Sequence, residues 1–169
     1  MKLVLLGYMA SGKSVIGKIL ANKLKMKFVD LDHYIEDREG QSISTIFKEK
    51  GEIYFRKIEN KYLMELLNKH DDLILSLGGG TPVYGDNMSN VIEKSISFYL
   101  SAPVDVLFER LKNETFQRPL VADIGEENLE EFIAKHLFER NPFYRKSKHI
   151  IEVKDKSISE IIKEITALL

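Results

Sequence analysis

The sequence has no cysteine. That excludes disulfides, zinc–thiolate centres and thiol nucleophiles, and it is compatible with a reducing compartment. It has no excess of charge: 25 basic and 26 acidic residues leave a formal net charge of −1. Electrostatics therefore give no reason to expect a nucleic acid or a membrane as partner. No apolar run approaches membrane-spanning length. Lys2, the apolar residues after it and Ala10-Ser11 imitate a secretory leader. That run is too short and passes straight into Gly12-Lys13-Ser14, so it is expected to be a strand of the mature protein. Internal repeats and low-complexity segments are absent. Arginine is scarce, six against nineteen lysines. What is present is 169 residues, 44% apolar and 30% charged. This composition predicts a single soluble globular domain, 1–169, with a substantial core.

One stretch dominates the rest. Gly7-Tyr8-Met9-Ala10-Ser11-Gly12-Lys13-Ser14 fits G-x-x-x-x-G-K-[ST], the phosphate-binding P-loop. The two glycines let the backbone curl so that successive N–H groups converge on a phosphate. Lys13 can reach the β- and γ-phosphates, and Ser14 can offer a hydroxyl to Mg²⁺. The following helix adds its positive end. The context agrees: Leu3–Leu6 is an apolar strand, and Val15, Ile16, Ile19, Leu20 and Leu24 recur at helical spacing.

The remaining chain alternates strands and helices. Strands are expected at 27–30, 73–77, 96–100 and 150–153. Helices are expected over 33–39, from Ser42 to Lys50 with a break at Gly51, and from Glu52 to about Asn68. Others should cover 86–94, 103–112 with Pro103 at its first position, and 126 to about 145, where Pro142 should disturb the last turns. Ser157 should cap a final helix carrying Ile161, Ile162 and Ile165. Residues 113–125 are polar and aperiodic, as a functional or disordered loop would be. Five strands alternating with helices predict an α/β fold with a parallel sheet between helical layers. Its ligands should sit at the carboxyl ends of the strands, where the P-loop, Asp30/Asp32 and Gly78-Gly79-Gly80 all fall.

Asp30 and Asp32, two residues apart at a strand end, should point to one side. One can hold Mg²⁺ through its water shell and the other can take a proton from an attacking hydroxyl. Helix capping by one of them is an equal alternative. Arg56 lies one turn from Glu59, either oriented by it or merely paired with it at the surface. Arg118 sits in the long loop and Arg140 near a helix end. The glycine triplet permits close approach to a ligand. Phe47 and Phe55 are read as core residues. The four histidines lack ligand spacing and are read as structural or solvated.

Taken together, Gly7–Ser14, Asp30-Leu31-Asp32, Gly51-Glu52-Ile53-Tyr54-Phe55-Arg56, Ser76–Gly80, Arg118-Pro119-Leu120 and Arg140–Arg145 resemble the shikimate kinase family in order and spacing. The resemblance implies a three-layer P-loop kinase fold with strand order 2-3-1-4-5. It implies an ATP-dependent kinase that phosphorylates the 3-hydroxyl of shikimate in aromatic amino-acid biosynthesis. The expected protein is a cytoplasmic monomer, with a substrate-binding helical region about 31–60 and a lid about 112–125. The residues carry over individually. Gly7, Met9, Ala10, Ser11, Gly12, Lys13, Ser14 and Val15 surround the nucleotide, Arg110 lies against adenine, and Ser14 and Asp30 serve Mg²⁺. Asp32 binds the shikimate hydroxyls and acts as base or orienter. Arg56 and Arg140 grip the carboxylate, Gly78, Gly79 and Gly80 line the substrate, and Lys13 and Arg118 approach the transferring phosphate. The chain departs from the family at Ala10, where glycine is frequent, and at Phe143, usually leucine. Lys154–Ser157 replaces a frequent asparagine-proline turn. Two other readings compete: another small-molecule kinase such as a gluconate kinase, and a nucleotide-binding module without catalysis.

Overall fold

The computed structural model describes residues 1–69, 71–113 and 123–169. Its centre is β1 (Lys2–Leu6), whose residues 3–6 are fully buried. It pairs in parallel with β3 (Leu73–Ser76) on one side and β4 (Ile96–Ser101) on the other. A strand covered on both faces must be apolar throughout, which is why Leu3-Val4-Leu5-Leu6 shows no alternation. β2 (Lys27–Asp30) adds to β3 and β5 (His149–Glu152) adds to β4. The order β2-β3-β1-β4-β5 is the one expected.

Helices α1 (Lys13–Leu24), α2 (Leu31–Glu39), α3 (Ile43–Asn68), α4 (Asn87–Lys94), α5 (Val104–Lys112), α6 (Glu126–Tyr144) and α7 (Ile158–Ala167) flank the sheet. α1 approaches closely through Gly17, where a Cβ would lie 2.4 Å from the Phe28 ring. Glycine inside a helix costs about 1 kcal/mol relative to alanine, and here it admits that contact. Ser42 caps α3 by accepting from the Thr45 N–H. Gly51 breaks its geometry as expected, at φ 81 and ψ 172, and helix resumes beyond it. Ser157 and Glu160 form a reciprocal capping box on α7.

Four details differ from the sequence reading. α2 starts at Leu31, because Asp30 is its cap. Pro142 lies inside α6, which continues to Tyr144. Val15 and Ile19 are about half exposed, so the buried face of α1 is Ile16, Gly17, Leu20 and Ala21. Phe55 is core, but Phe47 is partly exposed, its ring centroid 4.6 Å from that of Phe55.

Candidate active site

Three strand ends meet at one crevice. After β1 the P-loop turns sharply. Gly7 has φ 146, and a Cβ there would lie 2.7 Å from the Leu100 carbonyl oxygen, so only glycine fits. Gly12 has φ 100. Ala10 also has positive φ, at 62. That conformation costs an alanine about 1–2 kcal/mol. Lys13 Nζ donates to the carbonyls of Gly7 at 2.9 Å and Tyr8 at 2.8 Å, which folds its ammonium over the loop. Arg110 reaches back from α5 to donate to the Ala10 carbonyl at 2.9 Å.

The two aspartates take different places. Asp30 caps α2 and also lines the cavity. Its Oδ1 accepts from the Asp32 N–H, and its Oδ2 accepts from Ser14 Oγ at 3.2 Å. Asp32 stands on the first turn of α2, so strand alternation does not aim it. Burial pushes its carboxyl up to about 6. The charges of Asp30, Glu59 and Glu36 act in the same direction and Lys13 opposes them. The result is a carboxylate more basic than an ordinary aspartate. Both aspartates line a cavity of about 500 Å³ with residues 9–16, Gly78 and Gly79.

The glycine triplet after β3 explains how the rest assembles. Each glycine faces one candidate residue. A Cβ on Gly78 would lie 3.0 Å from Asp32 Oδ1. On Gly79 it would lie 2.9 Å from Arg140 Nη1, and on Gly80 2.7 Å from Arg56 Nη2. Three residues distant in sequence thus converge on one backbone turn. Gly80, Arg56 and Arg140 lie beyond the cavity wall proper, past Gly79.

The Arg56–Glu59 pair is not a surface pair. Glu59 is 1% exposed and accepts from Arg56 Nη1 at 2.9 Å. Its other oxygen accepts from Thr81 Oγ1 at 2.7 Å. Asn87 donates to the Thr81 carbonyl, and Asn60 donates to Asn87 Oδ1. Glu52 adds a looser contact to Arg56 Nε at 3.5 Å. Arg140 is held differently, over the ring of Tyr8 and beside Gly79, whose carbonyl accepts from the Tyr144 hydroxyl.

The structure thus gathers the P-loop, Asp30, Asp32, Arg56, Gly78–Gly80, Arg110 and Arg140. Arg118 and most of the expected lid, 114–122, lie outside the described residues, as does His70. Among the described residues no cluster of His, Asp or Glu could hold a metal ion alone. His136 is bonded to the Tyr8 hydroxyl, His149 stacks on Phe98 and His33 is exposed. Sequence reasoning missed Tyr8 and Tyr144 around Arg140, and Val153, Ile158 and Ile161 in the cavity wall, where Lys156 of the segment Lys154–Ser157 also lies. The signal available for the first was an aromatic side chain inside a phosphate loop.

Comparison with known proteins points to one family. The family model described as shikimate kinase matches residues 9–169. The shikimate kinases of Flavobacterium psychrophilum and Flavobacterium johnsoniae are each 44% identical over 169 residues, covering 99% of this chain and 98% of each relative. The crystal structure of shikimate kinase from Bacteroides thetaiotaomicron superposes with a TM-score of 0.93 at 34% identity, covering 99% of this chain and 97% of that one. The Acinetobacter baumannii shikimate kinase in complex with shikimate superposes with a TM-score of 0.88 at 32% identity, covering 99% and 91%.

Proposed function

The chain belongs to the shikimate kinase family and is an ATP-dependent small-molecule kinase, and we propose that its crevice transfers the ATP γ-phosphoryl group to the 3-hydroxyl of shikimate. The observation that carries the proposal is the glycine turn, against which Asp32, Arg140 and Arg56 each lie. One carboxylate and two guanidiniums suit a small polyol bearing a carboxylate. Arg56 and Arg140 grip that carboxylate, Asp32 engages the hydroxyls, and Gly78, Gly79 and Gly80 let the ring approach the backbone. Gly7, Met9, Ala10, Ser11, Gly12, Lys13, Ser14 and Val15 cradle the phosphates, with Arg110 against the base. Arg118 completes the charge from the lid. The acceptor region about 31–60 and the lid about 112–125 belong to one domain, 1–169.

Phosphoryl transfer asks for positioning and neutralisation of charge. The 3-hydroxyl passes its proton to an Asp32 carboxylate oxygen as its own oxygen bonds to the γ-phosphorus. The bond from phosphorus to the β,γ-bridging oxygen breaks, and ADP leaves with its charge met by Lys13. An Asp32 pKa of about 6 keeps the group ionised at neutral pH yet a better proton acceptor than an ordinary aspartate. The hard oxygen donors Ser14 and Asp30, 3.2 Å apart, fit Mg²⁺. When bound, Mg²⁺ supplies charge neutralisation at the β- and γ-phosphates.

All these residues come from one chain, and the reading is of a monomer in the cytoplasm; light scattering and cell fractionation test those points. No described helix is long and apolar enough to cross a membrane. The deciding experiment is a coupled ADP-release assay with shikimate, gluconate and nucleoside monophosphates side by side. Shikimate alone should give rapid turnover. Preference for gluconate, or no turnover with any acceptor, would favour the other kinase or the non-catalytic module.

A further inference from the structure

The two arginines of the acceptor site are held by opposite means. Arg56 has its charge met by Glu59 at 2.9 Å, with Glu52 nearby. For Arg140, no carboxylate among the described residues lies within ion-pair distance. Its surroundings are neutral and aromatic. Its Cζ lies 5.4 Å from the centroid of the Tyr8 ring, and the Tyr144 hydroxyl lies within hydrogen-bond reach of its guanidinium.

Tyr8 is an unusual residue to find there. Its backbone belongs to the donor site, because it follows Gly7 and its carbonyl accepts from Lys13 at 2.8 Å. Its side chain turns instead toward the acceptor site and is 1% exposed. The hydroxyl is hydrogen-bonded to His136 Nδ1 at 3.2 Å, and His136 packs on Phe132 at 4.2 Å between centroids. His136 and Arg140 are four residues apart on α6, so they face the same way. The ring is thus fixed at both ends, by the P-loop backbone and by α6. Burial raises the pKa of the hydroxyl to about 12, and Arg140 lowers it less than burial raises it, so the side chain stays a neutral phenol at working pH.

We infer that Tyr8 is a positioning residue for the acceptor: its ring face sets the Arg140 guanidinium without neutralising it. A carboxylate partner would orient the guanidinium equally well but would compete with the incoming carboxylate. An aromatic face attracts the cation through its quadrupole and, apart from the N–H turned to the neutral Tyr144 hydroxyl, leaves the in-plane donors to the ligand. Arg140 then meets shikimate with its full charge and little remaining freedom to lose, which favours affinity. The inference rests on the reading of Arg140 as a carboxylate clamp and adds the element that holds it.

The test varies the ring face and keeps its shape. Tyr8→Phe and a variant with 3,4,5-trifluorophenylalanine at position 8 are compared with wild type in steady-state kinetics. Tyr8→Phe should keep the KM for shikimate within about twofold, because the face is retained. The fluorinated ring, whose face is less negative, should raise that KM roughly three- to tenfold. The KM for ATP should stay unchanged, and the two aromatic variants, which both lack the hydroxyl bonded to His136, should share one melting temperature somewhat below that of wild type. Tyr8→Leu should raise the shikimate KM at least as far; should it fail to fold, the two aromatic variants still decide. Equal shikimate KM values for the phenylalanine and fluorinated proteins overturn the inference, as does a parallel rise in both KM values. Arg140→Ala, measured alongside, separates the two readings. If it leaves the shikimate KM intact, both fall; if it raises that KM and fluorination does nothing, only the role of Tyr8 falls.

Discussion

Replacing Asp32 with asparagine should stabilise the protein, and more so at high pH than at low. The carboxyl titrates at about 6 in the fold against 3.8 for an ordinary aspartate. A raised pKa means that the folded state binds the proton more tightly, so the ionised carboxylate opposes folding. Below 3.8 both states are protonated and the penalty is absent. It grows as pH rises through the interval and is complete above about 6. The shift corresponds to about 3 kcal/mol at pH 8 and about 1.6 kcal/mol at pH 5. Asparagine has no proton to lose, so its advantage contains this penalty plus a constant from its own packing and hydrogen bonds. Subtracting the pH 5 advantage from the pH 8 advantage removes the constant and leaves about 1.4 kcal/mol. Urea unfolding of both ligand-free proteins at the two pH values measures it. The same advantage at both would refute the raised pKa. In the wild type, kcat/KM for shikimate should fall on the acid side with an apparent pKa near 6, while Asp32→Asn should lose orders of magnitude in turnover and keep its ATP affinity. Greater stability with lost activity is the pattern of a site that holds a strained group for function.

Glu59→Ala leaves the Arg56 charge and the Thr81 hydroxyl without their buried partner, and should cost about 3–5 kcal/mol in urea unfolding; less than about 1 kcal/mol would mean the network matters little. Gly80→Ala puts a methyl 2.7 Å from Arg56 Nη2 at an ordinary φ of −86. Because a displaced positioning group is costly, the KM for shikimate should rise roughly ten- to hundredfold with the KM for ATP little changed; equal changes in both would show general damage. Ala10→Gly removes the positive-φ strain, and the extra chain entropy of glycine offsets part of that gain, so stability should rise by about 0.5–1 kcal/mol. A lower melting temperature for that variant would contradict the strain.

The fold was legible because its signals are local and redundant. Apolar runs marked the strands, and Gly51 and Ser157 punctuated helices through their own backbone preferences. Exposure was less legible: Val15 and Ile19 match the helical period of α1, but which side meets the sheet depends on Gly17 against Phe28, a contact of tertiary origin. In the site, the P-loop was legible as one contiguous motif. Asp32 was singled out for an incomplete reason, since a helix turn capped by Asp30 aims it, and the carboxylate of Asp30 that caps the helix also accepts from Ser14. The pairing of Arg56 with Glu59 could be read from spacing, but not its burial, which Thr81 and Asn87 create from elsewhere in the chain. The glycine triplet shows most clearly where sequence reading stops. Three glycines announce that something comes close, without saying what. In the fold that something is first the protein itself: the Asp32 carboxylate and the Arg140 and Arg56 guanidiniums occupy the space that three Cβ atoms would take. The triplet therefore admits the side chains proposed to recognise the acceptor before any ligand arrives, and a methyl at any of its positions should disturb acceptor binding while leaving the phosphate loop intact.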